Sequence, residues 1–346
     1  MMEMNRRYIV YAMMATIVTL SSCAGEESEI QQSPPVPITV TVNNSNSPQT
    51  RNDETTPYNT IADLQTTGFG LYCQPGSLDP LMSNQKFTYN TTNGWTYSPI
   101  KYWPSGTDTK LNFIAYAPYT TTDKVSYDKT SQQLSYVYTV NTASPFDNID
   151  LCTAVAANQT NSNNNGVTLS FGHQTARLEL DVQVGINGYN ASTKYYIRSV
   201  SISSNNSYSS GKLQITLSGG TPTISWDYTG ASTLSYTISS TSSFRDGIAD
   251  PGTSLTAENF DGMLATLNAS ATSIFPTSTY LTILPSNNSS VEFALSSTIV
   301  EYTSDGSSVT SAEKTYSGSA TLDKVEGGHR YTLNVTLTPQ SETPLP

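Results

Sequence analysis

Along most of the chain, apolar residues recur at every second position. Ile38, Val40 and Val42 are separated by threonines, and Leu178, Leu180, Val182 and Val184 alternate with Arg177, Glu179, Asp181 and Gln183. Leu213, Ile215 and Leu217 repeat the pattern, as do Val291, Phe293 and Leu295, and then Tyr331, Leu333, Val335 and Leu337. Successive side chains of a strand point to opposite faces, so each run predicts a strand with one face on a core and one in water. Asn93-Gly94, Asn187-Gly188, Gly219-Gly220, Asp305-Gly306 and Gly327-Gly328 punctuate the runs and supply the positive φ of tight turns. Many short strands with regular turns predict an all-β chain of β-sandwich type with little helix. Helical spacing occurs at residues 256–267, where Phe260, Met263, Leu264 and Leu267 share a face, and one or two turns are expected there.

The pattern breaks at two places. Arg6 and Arg7 precede an apolar run over residues 8–20, too short for an ordinary bilayer span but suited to a signal peptide. It ends in Leu20-Ser21-Ser22-Cys23, which resembles a bacterial lipobox. Residues 1–22 are therefore read as a lipoprotein signal peptide and Cys23 as the lipidation site, with a plain secretory signal or a short membrane anchor as the alternatives. Residues 23–37, with Pro34, Pro35 and Pro37, cannot bury apolar area and read as a flexible tether. The second break is the Asn-rich stretch 158–166, a candidate domain junction or long hairpin loop. A boundary there divides the remainder into an N-terminal sandwich, residues 38–166, and a C-terminal one, residues 167–346.

Composition narrows the function classes. Only 12% of residues are charged, the net charge is −11, and there are 22 tyrosines. An acidic chain without a basic run has nothing to replace phosphate counterions, which argues against nucleic-acid binding. With Cys23 lipidated, Cys73 and Cys152 remain as a possible disulfide or as two buried small hydrophobes. The two histidines, His173 and His329, lie far apart, and no His/Cys/Asp set at ligand spacing accompanies them, so they read as structural and no metal site is expected. No GxSxG elbow, P-loop or EF-hand loop occurs, and the acid pair Glu258 and Asp261 lacks partners. No catalytic residue is assigned, no cofactor is expected, and the chain does not read as an enzyme. Trp95, Trp103 and Trp226 could stack on sugars or could simply pack in cores and across strands.

Several stretches in order resemble one family. Trp95 with Tyr97, then Tyr102-Trp103-Pro104, then Leu111-Asn112-Phe113-Ile114-Ala115-Tyr116-Ala117-Pro118 are similar to the N-terminal domain of Bacteroidetes fimbrillin-like proteins. Residues 169–178, LSFGHQTARL, resemble the segment that opens the C-terminal domain of that family. Residues 280–285, YLTILP, and Gly327-Gly328-His329-Arg330-Tyr331 resemble its late strands. Glu26 and Glu27, just after Cys23, resemble the signal that sends Bacteroidetes lipoproteins to the outer face of the outer membrane, although a solvated acidic linker would look the same.

The resemblance implies two tandem β-sandwich domains of transthyretin-like topology. It also implies an adhesive pilus subunit, held in the outer membrane by its lipid and then built into a surface fimbrium. In such assembly an arginine-specific protease removes the first strand, and a strand from another fimbrillin-like subunit fills the groove; an open edge with empty apolar pockets is what a donor strand satisfies. By that resemblance Ile38, Val40 and Val42 mark the departing strand, and Arg51 matches the cleavage site, although an ordinary exposed arginine would look the same. Tyr331, Leu333, Val335 and Leu337 are either the donor strand or a terminal strand of the subunit's own sandwich. After Leu337 the prolines Pro339, Pro344 and Pro346 cannot donate ladder hydrogen bonds, which favours a tip or accessory subunit that only accepts. An anchor subunit that keeps both its first strand and its lipid is a third role, and the adhesion target is unassigned. The competing reading is a surface glycan-binding lipoprotein of a polysaccharide-uptake system.

Overall fold

The computed structural model describes residues 34–43, 61–76, 78–105, 109–162, 166–185, 192–239, 243–245, 256–260 and 267–340. In chain order the elements begin with β1 (Val40–Asn43), the short helix α1 (Ile61–Thr67), β2 (Phe69–Gln74), β3 (Met82–Asn90) and β4 (Gly94–Thr96). Next come β5 (Leu111–Ala117), β6 (Val125–Asp128), β7 (Gln133–Thr139), β8 (Cys152–Gln159), β9 (Val167–Ser170) and β10 (Gly172–His173). They are followed by β11 (Ala176–Val184), β12 (Thr193–Tyr208), β13 (Ser210–Ser218), β14 (Thr221–Asp227), β15 (Thr233–Ile238) and a second short helix, α2 (Ala257–Phe260). The last are β16 (Thr272–Ser273), β17 (Leu281–Ile283), β18 (Val291–Ser304), β19 (Val309–Leu322) and β20 (Arg330–Pro339). The expected all-β character is what the chain adopts.

The described residues form four sheets: a β1-β9 pair, a six-stranded sheet ordered β10-β8-β5-β2-β3-β4, and a four-stranded sheet ordered β14-β13-β7-β6. The fourth is an eight-stranded sheet ordered β15-β12-β18-β19-β20-β11-β16, with β17 also on β11. The alternating runs behave as their pattern predicts, except that Arg177, expected on the polar face of β11, is buried with its guanidinium over the Tyr280 ring. Leu178, Leu180, Val182 and Val184 of β11 are buried while Glu179, Asp181 and Gln183 are half-exposed, and Leu333, Val335 and Leu337 of β20 are buried between exposed neighbours. Gly219 and Gly220, both at positive φ, close the tight β13-β14 hairpin, in which Ser218 stands opposite Thr221.

β2 and β5 do not alternate between core and water. All of their residues are buried. Their side chains serve two cores in turn: Leu71, Cys73, Phe113 and Ala115 point into one with Ile38, Val40, Val167 and Leu169, whereas Tyr72, Ile114 and Tyr116 point into another with Leu134, Tyr136, Leu213 and Ile215. The six-stranded sheet is thus a middle layer, with the β1-β9 pair on one face and the four-stranded sheet on the other.

Two pairings cross the boundary expected near Val167. β9 lies parallel to β1, with Val40 opposite Val167 and Val42 opposite Leu169. β7 pairs with β13, Leu134 opposite Ile215, so strands from both halves complete one sheet. The helix expected at residues 256–267 is present as α2 over its first residues, and Phe260 and Leu267 are buried; Met263 and Leu264 lie outside the described residues. Helix α1 was not expected. Its sequence, IADLQTT, is short and ends in β-branched residues of low helix propensity, and it stops at Gly68, which has φ +71° and donates its N–H to the Leu64 carbonyl.

Candidate functional site

The first strand is seated between two neighbours. On one side the Val167 N–H donates to the Thr39 carbonyl at 2.8 Å, and the Thr41 and Thr168 hydroxyls meet at 3.1 Å. On the other side the Ile38 N–H donates to the Lys101 carbonyl at 2.8 Å and the Trp103 N–H to the Val36 carbonyl at 2.9 Å. The Tyr97 hydroxyl reinforces this side, donating to the Ile38 carbonyl at 2.8 Å and lying 3.2 Å from the Lys101 carbonyl and N–H. Ile38 and Val40 are buried among Leu71, Phe113, Val167 and Leu169, and Val42 is half-buried. Burial of two such side chains contributes about 3–6 kcal/mol. The seat is closed at one end by Gly166, at φ +81°, where a Cβ would lie 2.6 Å from the Thr39 hydroxyl and 2.9 Å from its carbonyl oxygen.

Among the described residues β1 is the ladder partner of β9. Together with Ile38 it covers the β9 edge and packs on Val167 and Leu169, and its parallel register sets its apolar residues at alternate positions on that face.

The terminal strand sits differently. β20 lies inside the eight-stranded sheet, parallel to β11 over eight residues from Arg330 opposite Arg177 to Leu337 opposite Val184. On its other flank it pairs with β19 at Tyr316 opposite Pro339 and Ser317 opposite Thr338. Leu333, Val335 and Leu337 are fully buried, and Tyr331 is partly so. Sequence alone left open whether these residues form the subunit's own sheet; here they do.

A second constellation surrounds His173. β10 is antiparallel to β8 with His173 opposite Cys152, and the ladder continues where the Gln174 N–H donates to the Leu151 carbonyl at 2.7 Å. Asp150 and Cys152, two residues apart along an extended segment, share a face with His173. The His173 Nδ1 atom is 2.8 Å from the Asp150 Oδ2 atom and 3.3 Å from the Cys152 sulfur. One ligand atom from each residue lies within 4.8 Å of the others. The Thr175 hydroxyl donates to the Asp150 Oδ1 atom at 2.9 Å and fixes the carboxylate. The expectation that no such set accompanies the histidine is corrected, because the ligands meet through strand register and not through sequence spacing.

The remaining candidates are quieter. His329 Nδ1 donates within its own turn to the Gly327 carbonyl at 3.1 Å, and its Nε2 lies 3.9 Å from Glu326. No disulfide joins Cys73 to Cys152. They sit on β2 and β8, on opposite sides of β5, opposite Phe113 and Ala117 respectively, which is too far for a bridge at roughly 4.8 Å per strand and 3.3 Å per residue. Burial raises the Cys73 thiol well above its usual range, which keeps it protonated and inert. Trp103 and Trp226 are buried, and Trp95 is half-buried against Phe69 and Tyr89, so the tryptophans pack and do not form an open platform. Cys23 and Arg51 lie outside the described residues.

A sequence profile of the fimbrillin-like family matches residues 65–345. A curated relative, the fimbrium subunit Fim1C of Phocaeicola vulgatus, is 30% identical over 198 residues, which is 50% of this chain and 51% of that protein. The chain therefore spans about half the length of this relative. A crystal structure of a fimbrial protein from Bacteroides vulgatus superposes with a TM-score of 0.56 at 19% identity, covering 88% of this chain and 98% of the other, and shares the fold.

Proposed function

This chain belongs to the fimbrillin-like family, and from that premise we propose that it is a subunit of a surface fimbria, exported as a lipoprotein through Cys23 and joined to its neighbours by strand exchange at β1. The observation that supports the reading is the seat of β1: a four-residue strand, in a slot lined by Val167 and Leu169, whose lead-in is flanked by residues 101–103. Arg51 follows β1 by eight residues, so cleavage there would detach the strand together with the lipid. Cys23 would then hold the subunit at the outer membrane until assembly releases it. The engagement of β20 in the subunit's own sheet supports an accepting role, as a tip or accessory subunit would have.

Treatment of the purified precursor with an arginine-specific protease tests this. The expected result is a cut at Arg51 followed by complexes with other fimbrillin-like subunits that survive SDS without boiling. A precursor that stays uncut at Arg51, or that is cut and binds no other subunit, would overturn the exchange mechanism.

A further inference from the structure

We propose that Asp150, Cys152 and His173 form a binding site for a zinc-class divalent cation. The three residues supply one oxygen, one sulfur and one nitrogen, the donor set that borderline cations such as Zn²⁺ prefer over Mg²⁺ or Ca²⁺. All three stand on paired strands, β8 with its lead-in and β10, so their backbones are fixed relative to one another.

The spacing is close to what a tetrahedral ion needs. Bond lengths of about 2.0–2.3 Å at a tetrahedral angle place neighbouring ligand atoms roughly 3.3–3.6 Å apart. The observed separations are 2.8 Å for nitrogen to oxygen and 3.3 Å for nitrogen to sulfur. Side-chain rotations of a few tenths of an ångström would admit the ion between them.

The surroundings fit the same use. Thr175 holds the other carboxylate oxygen and would orient Asp150 Oδ2 toward the ion. The His173 side chain retains 17% exposure and that of Asp150 5%, which leaves room for a water as fourth ligand without opening the site fully. Binding would convert the Cys152 thiol to a thiolate with release of its proton to solvent, and would place the remaining imidazole proton on Nε2. The ion would then cross-link β8 to β10, which continues through Phe171 directly from β9, the partner of β1. Metal binding at this position neither requires nor excludes strand exchange.

The test is titration of the folded, chelator-treated full chain with Co²⁺. One equivalent should bind with visible bands of tetrahedral cobalt and a thiolate-to-metal charge-transfer band, and Zn²⁺ should displace it. Cys152→Ser should abolish the charge-transfer band and His173→Gln should abolish stoichiometric binding. Cys23→Ser and Cys73→Ser should change neither. Thr175→Val, which removes only the group that orients the carboxylate, should weaken affinity by about 10–100-fold. The proposal is overturned if the wild-type chain shows no charge-transfer band, a measurement that does not depend on any variant folding, or if the band persists in Cys152→Ser.

Discussion

β1 and β20 have the same sequence pattern and a similar pairing geometry. Each presents branched apolar residues at alternate positions, and each lies parallel to its neighbour, β9 or β11. They differ in what surrounds them. β1 has four residues in register with β9, buries Val40, with Ile38 buried just before it, and belongs to a two-stranded sheet. β20 is in register with β11 over eight residues, meets β19 on its other flank, and buries Leu333, Val335 and Leu337. Each buried side chain of this kind contributes about 1.5–3 kcal/mol, so β20 is held by apolar burial more strongly than β1, with a longer ladder besides. Withdrawal of β1 opens a slot, whereas withdrawal of β20 divides a sheet. The alternating pattern marks which residues face a core; position in the sheet decides which strand can be spared.

Substitutions that shorten the buried side chains separate the two strands most strongly. Leu333→Ala should lower the global unfolding free energy by about 2–5 kcal/mol in a urea titration, because it leaves a cavity beneath a strand paired on both flanks inside the eight-stranded sheet. Ile38→Ala removes a comparable side chain, yet its cost should fall on local opening of β1. The readout is faster amide exchange at residues 167–170, with the global urea midpoint little changed.

Gly166→Ala acts on the same seat from outside the strand. The positive φ costs a non-glycine residue about 1–2 kcal/mol, and the new Cβ meets Thr39 backbone. Limited proteolysis should cut this variant near β1 sooner than the wild type. Tyr97→Phe removes the hydroxyl that bonds Ile38 and Lys101, and should loosen the strand by about 0.5–1.5 kcal/mol, read again as exchange at residues 167–170. Thr168→Val removes an exposed cross-strand hydroxyl contact worth about 0.2–1 kcal/mol, the smallest expected effect.

How much of this was legible in the sequence depended on the range of the interaction. Period-two alternation identified β11, β13, β18 and β20, each with one face on a core, and the Gly-containing dipeptides marked turns such as Gly219-Gly220. β2 and β5 escaped the pattern because Leu71 and Tyr72, or Phe113 and Ile114, enter two different cores, and no local spacing encodes a second covering layer. The β7-β13 pairing across the expected domain boundary is a long-range contact of the same kind. The apolar residues of β1 were readable. Its slot was not, since Lys101, Tyr97 and Gly166 join it only through the fold. Likewise His173 gave no ligand signature, because Asp150 and Cys152 lie more than twenty residues away and reach it through the β8-β10 register.

Native-state hydrogen exchange on the intact chain tests the central claim most directly, namely that β1 is the strand that leaves. The amides of Ile38 and Val167, which close the two sides of the seat, should exchange through a shared local opening with a free energy well below that of global unfolding. The amides of Leu333 to Leu337 should exchange only by global unfolding. If residues 333–337 instead open first, or if Ile38 and Val167 exchange only with the whole molecule, β1 is not the detachable strand and the account fails.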